Sequence, residues 1–173
     1  IAPMLAEHLP LQQLIVRKLE RDPVRLTTIA SASAKPDESG ETLATRTDCE
    51  PASSKDLQTR LAGERAWLLT ADSSLWRAVL PLGVTGSVIA LPLSAAGRPL
   101  GVALLLADKG AVFGEEQLRS AQQLVEPLRV AFENDQRLNE LARMREALEA
   151  DRRALLSRLD RQDISDTVVG EAA

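Results

Sequence analysis

The chain has 173 residues, 45% hydrophobic and 27% charged, with a formal net charge of −4 and a pI of about 5.2. That balance predicts one soluble globular domain plus an extension, with room for a sizeable core, and it excludes the basic footprint of a nucleic-acid binder. The single cysteine excludes an internal disulfide framework, and with no apolar run of about 18 residues and no signal peptide the expected compartment is a reducing cytoplasm, with no membrane contact.

Two Trp, two Phe and no Tyr leave Leu, Val, Ile and Ala to build the interior. The first residue is Ile, which predicts that the chain is a piece of something longer. "APMLAEHLP" reads as a short helix, with Pro3 near its start and Pro10 at its end. "QQLIVRKLER" and "VRLTTIASAS" are β-prone runs meeting at Asp22-Pro23, a hairpin pattern. "KPDESGE" is turn chemistry, after which "TLATRTDC" continues in extended form. "PASSKDLQTRLAGER" predicts a helix with a serine start, Leu57 and Leu61 on one side, and a stop at Gly63.

"AWLLTAD" follows as a short strand and "SSLWRAVLPLG" as a short helix or helical loop. "GSVIALPLSAAGRPLGVALLLAD" is the clearest hairpin, two apolar strands around Ala96-Gly97, and its apolar character on both faces predicts the centre of a sheet. From about Glu115 to Gln162 the pattern is helical, with Pro127 expected to kink or restart it. Leu118, Ala121, Leu124 and Val125 are expected to pack on the sheet. Strands and helices in this order predict an antiparallel sheet flanked by helices, an α+β domain, followed by one long helix.

That helix has a heptad. Leu141, Leu148 and Leu155 recur every seven residues, with Leu138, Arg145, Arg152 and Leu159 at the partner positions. Leucine at one position and mixed residues at the other predict a modest parallel coiled coil, and so a homodimer. The competing reading is a solvated helix held by Glu–Arg pairs such as Glu149 with Arg153.

Three stretches resemble the GAF domain, a small-molecule sensing and dimerisation module: the opening hairpin, "LAGERAWLLTAD", and "VIALPLSAAGRPLGVALLLAD". The resemblance covers roughly residues 1–137 and implies a GAF-like central antiparallel sheet flanked by helices. The tail from Phe132, ending in "DTVVGEAA", resembles the linker before the AAA+ ATPase domain of sigma-54-dependent transcriptional activators. The resemblance implies a sensory domain at 1–137, a coiled-coil signalling helix at 138–162, and a linker at 163–173 into an ATPase that this chain lacks. No phosphate-cradling G-x-x-x-x-G-K-[ST] occurs, so the ATPase and DNA-binding activities would be those of a parent protein. The partners implied are a second copy, the AAA+ domain of the same chain and a possible small-molecule effector; any cofactor is unknown.

By the same resemblance a ligand would lie between the sheet face and the segment from Asp72 to Val84. Trp76 would form an apolar wall, Arg77 would pair with a carboxylate or similar anion, and Trp67 with Ile89 or Leu91 would line the sheet side. Each has an ordinary alternative, Trp76 as a core residue and Arg77 as a solvent-facing charge. No metal site is expected, because His8 is the only histidine and Cys49 the only cysteine. Cys49 lies between Asp48 and Glu50, whose carboxylates should raise its pKa. No Ser-His-Asp order, nucleophile elbow or paired catalytic carboxylates are found, so no enzyme is expected. A free-standing coiled-coil adaptor would account for the tail and leave the apolar hairpins unexplained.

Overall fold

The computed structural model describes residues 9–34, 46–81 and 83–170, with backbone alone at 51–52 and 158–170. The expected helix at 2–10, with His8, lies almost wholly outside these residues, as do the extended run at 42–45, Leu82, the side chain of Leu159 and the last three residues. Six strands are described: β1 (Leu11–Arg21), β2 (Val24–Ser33), β3 (Arg46–Asp48), β4 (Trp67–Leu69), β5 (Val88–Ala95) and β6 (Arg98–Ala107). Four helices accompany them: α1 (Pro51–Ala62), α2 (Trp76–Val79), α3 (Glu115–Gln122) and α4 (Val125–Gly170). The fold is α+β, a helix-flanked antiparallel sheet in the order β3-β2-β1-β6-β5-β4.

The two expected hairpins are present and pair with each other through β1 and β6 at the sheet centre. The β5–β6 turn needs left-handed backbone at both tip residues, and Ala96 (φ 49) and Gly97 (φ 72) supply it. In β6 every residue from Gly101 to Ala107 is buried, because helical segments cover both sheet faces. β1 and β6 lie so close at Gly101 that a Cβ there would sit 2.2 Å from the carbonyl oxygen of Arg17. Only glycine fits that contact.

Side chains alternate across the sheet. Ile15, Leu19, Leu26, Val88, Ala90, Val102, Leu104 and Leu106 share one face, which packs with Leu57 and Leu61 of α1 and with Leu75, Val79 and Leu80 around α2. α3 packs against β5, and its Ala121 is fully buried, with Leu118 and Leu124 half-buried and Val125 buried.

Three local details differ from the sequence reading. α1 begins at Pro51 with Glu50 before it, not at a serine. Proline suits the first helical position because its fixed φ is helical and its missing N–H would be unpaired there. Gly63 does end α1, but in extended backbone (φ −72), so its left-handed freedom is not what stops the helix. The break in the long helical region falls at Gln123-Leu124, ahead of Pro127. Proline at 127 cannot donate to the Gln123 carbonyl and its ring crowds that carbonyl, so α3 closes there with Gln123 N–H bonded to Ser120 O (3.3 Å) and Leu124 N–H to Ala121 O (2.9 Å).

Two compact units are present, Ile1–Val130 and Ala131–Ala173. The sheet belongs to the first. The second is the remainder of α4, whose helix runs past the expected end at Gln162 to Gly170. No proline or glycine interrupts 163–169. Among the described residues no helix is long and apolar enough to cross a membrane.

Candidate functional site

Among the described residues one charged side chain, Arg17, is buried in the inner face of the sheet. Arg17 falls in step with Ile15 and Leu19 on β1, so the period of two turns it toward the core, and it is fully buried. Its Nη1 donates to Val79 O at 2.7 Å, and its Nη2 to Leu26 O at 2.8 Å and Thr47 Oγ1 at 2.8 Å. One side chain thus ties β1 to β2, β3 and the end of α2. Burial lowers the Arg17 pKa to about 10, still well above neutrality, while nearby Cys49 opposes that shift. The group stays protonated at physiological pH.

Cys49 sits just beyond β3, half-buried, with its N–H bonded to Val24 O at 3.1 Å. Its thiol pKa is raised chiefly by burial; Arg17 lowers it and Asp48 raises it. The expected direction is therefore right and the expected cause is secondary. Among the described residues no three His, Cys, Asp or Glu side chains gather as a metal ion would require.

The six residues suggested as a pocket do not converge. Trp67 and Trp76 are half-buried and pack against the inner-face core, Trp67 with the Arg60 guanidinium 6.0 Å from its ring centre. Asp72 and Arg77 are exposed. Trp67 is paired with Ala90 and Leu68 with Ile89, so Ile89, and Leu91 with it, point to the opposite face from the tryptophans. The space that the resemblance assigns to a ligand holds Leu75, Val79 and Leu80 packed on Val88 and Ala90. The sequence reading placed adjacent strand residues on one wall, where the pleat separates them.

Two clefts open elsewhere on the first unit. One, of about 580 Å³, lies beside the start of β1, the end of β6 and the loop from Gly83 to Gly86. The other, of about 650 Å³, lies between the C-terminal half of α1, the end of β1 and the β5–β6 turn, and is lined by Arg21 and Arg98. None of the six suggested residues lines either cleft. The sequence reading missed Arg17 and both clefts. The sequence signal for Arg17 is a charge between Ile15 and Leu19 in a β-prone run, and only the register Arg17↔Val102 shows that it faces inward; the clefts join segments far apart in the chain.

The helix residues behave differently. Leu138, Leu141, Leu148 and Leu155 are exposed, at 67%, 63%, 69% and 59%. Met144 and Leu156 are exposed as well. Glu149 gives its carboxylate to Arg145 at 3.0 Å and only its backbone carbonyl to Arg153, which differs from the expected Glu149–Arg153 ion pair.

No protein-family model matches the sequence, nor does any curated protein. Solved structures do share the fold. A far-red cyanobacteriochrome photoreceptor superposes with a TM-score of 0.55 at 14% identity, over 77% of this chain and 82% of its own. A GAF domain/HD domain protein from Geobacter sulfurreducens superposes with a TM-score of 0.51 at 13% identity, over 78% and 88%. With the strand order and the flanking helices, these likenesses show that the chain has a GAF-like fold.

Proposed function

We propose that this chain is a sensory or regulatory domain that pairs with a second copy through α4 and passes its state along that helix to a following ATPase domain. The observation that carries the reading is the row of exposed leucines, Leu138, Leu141, Leu148 and Leu155, on a helix described without a break from Val125 to Gly170. Large apolar groups left in water at heptad spacing are the seam of a coiled coil. Burying each leucine contributes roughly 1.5–3 kcal/mol. Arg145, at a seam position, already has its charge met by Glu149 on the same helix, which reduces its cost to the pairing. The GAF-like fold supports a regulatory role, and the similarity of "DTVVGEAA" to the opening of sigma-54 activator ATPase domains supports the downstream partner. The chain itself would then be no enzyme.

A second reading is a ligand-free dimerisation module that positions the ATPase. It is favoured by the filled inner face, where Leu75, Val79 and Leu80 pack against the sheet. Both readings need the dimer. Leu148→Asp puts a charge in the middle of the seam, and desolvating it unpaired costs several kcal/mol. Light scattering at micromolar concentration should show a dimer for the wild type and a monomer for this variant, with the melting of the sheet domain kept. A variant that stays fully dimeric removes the seam from the account.

A further inference from the structure

We propose that the cleft between α1 and the β5–β6 turn binds the oxyanion of a small molecule, a phosphate or carboxylate, through Arg21 and Arg98. The proposal rests on the regulatory reading only for its consequence, since binding is measured separately from dimerisation.

The cleft is about 650 Å³, within the usual range of about 300–1,000 Å³ for small-molecule sites. Leu19, Ala62 and Pro99 supply apolar lining, and the Gln58 amide is a neutral donor on α1. Arg21 is the last residue of β1 and Arg98 the first of β6. Arg21 Nη2 donates to Pro99 O at 3.4 Å, which sets its guanidinium beside the residue that follows Arg98. Both arginines are exposed and reachable.

Among the described residues no carboxylate lines this cleft, in a chain where 25 acidic residues outnumber 21 basic ones. Glu20, the neighbouring acid on β1, is engaged by Arg25 and by the Thr27 hydroxyl. Asp22, in the β1–β2 turn, is not part of the lining. Arg25, also at the β1–β2 end of the sheet, has Glu20 and Asp48 as its anions. Two neighbouring guanidiniums repel unless an anion lies between them, and their planar forks match the two oxygens of a carboxylate or phosphate.

One term opposes binding. The C-terminal end of α1 presents roughly half a negative charge, and two full positive charges outweigh it. The turn residue points the same way. Ala96 lines the cleft with left-handed backbone (φ 49), where Asp and Asn are favoured over alanine. An Asp at 96 would have brought an acid into the lining; alanine keeps it free of one. Because both arginines are exposed, the attraction is screened by salt, and the affinity expected is modest.

The test is a titration of the full 173-residue chain with pyrophosphate and, separately, with citrate, at ionic strength held constant with sodium chloride and followed by amide NMR. Shifts should concentrate at residues 96–98 and 58–62 for at least one probe, and which probe acts tells phosphate from carboxylate. Arg21→Gln and Arg98→Gln should each weaken that binding five- to tenfold, while Arg119→Gln, on α3, should leave it unchanged. The proposal fails if neither probe shifts these amides, if the shifts gather at the Gly83–Gly86 cleft instead, or if Arg119→Gln weakens binding as much as Arg98→Gln. Shifts in the wild type decide the matter even if a variant folds poorly. Failure here with Leu148→Asp still monomeric would remove the ligand and leave the dimer standing.

Discussion

Arg17 places a positive charge among leucines, and hydrogen-bond acceptors around its guanidinium explain how it is tolerated. Val79 O, Leu26 O and Thr47 Oγ1 each receive one of its N–H groups. Replacing a buried charged group by an apolar one of similar length can be neutral or stabilising when its partners go too. Here the partners stay behind, two of them backbone carbonyls, and each acceptor left without a donor costs about 1–3 kcal/mol. Arg17→Met should therefore lower the urea midpoint, by an amount equivalent to roughly 3 kcal/mol. An unchanged midpoint would mean that the side chain is not the tie between β1, β3 and α2.

Strand pairing depends on a contact of another kind. β1 and β6 are the central strands, and Gly101 lets them meet with no side chain between. The atoms a Cβ would strike, at 2.2 and 3.2 Å, are the Arg17 carbonyl oxygen and carbon, which are backbone and cannot swing aside. Gly101→Ala must separate the two strands, and overpacking of this sort costs about 1–3 kcal/mol or more. Calorimetry should show a clearly lowered melting temperature, and an unaltered one would refute the close approach. The hairpins themselves were readable from β-prone and apolar runs joined at Asp22-Pro23 and Ala96-Gly97. The α3–α4 break was readable only in part: Pro127 announces a break, and its clash with the carbonyl four residues back sets the place.

The division between compact units falls inside α4, between Val130 and Ala131. All the described strands lie in the first unit, while every described side chain from Arg137 to Ser157 is exposed. A chain ending at Arg137 should thus keep the cooperative melting of the sheet domain and lose the leucines of the heptad. Differential scanning calorimetry with light scattering would check both halves of this. Loss of the melting transition would show that the sheet domain draws its stability from the removed helix.

The elements were written in local pattern. Runs of β-prone and apolar residues set the strands, turn residues join them, and leucines at seven-residue spacing mark α4, because each of these signals concerns residues a few positions apart. The α+β class followed from their order. Which residues meet was decided by tertiary structure. Trp67 and Ile89 looked like one wall, yet the register Trp67↔Ala90 turns them to opposite faces. Arg21 and Arg98 lie 77 positions apart in the chain and share a cleft only because β1 pairs with β6. Pairing register is a long-range property, fixed by how the whole apolar surface is buried, and no short window of sequence contains it.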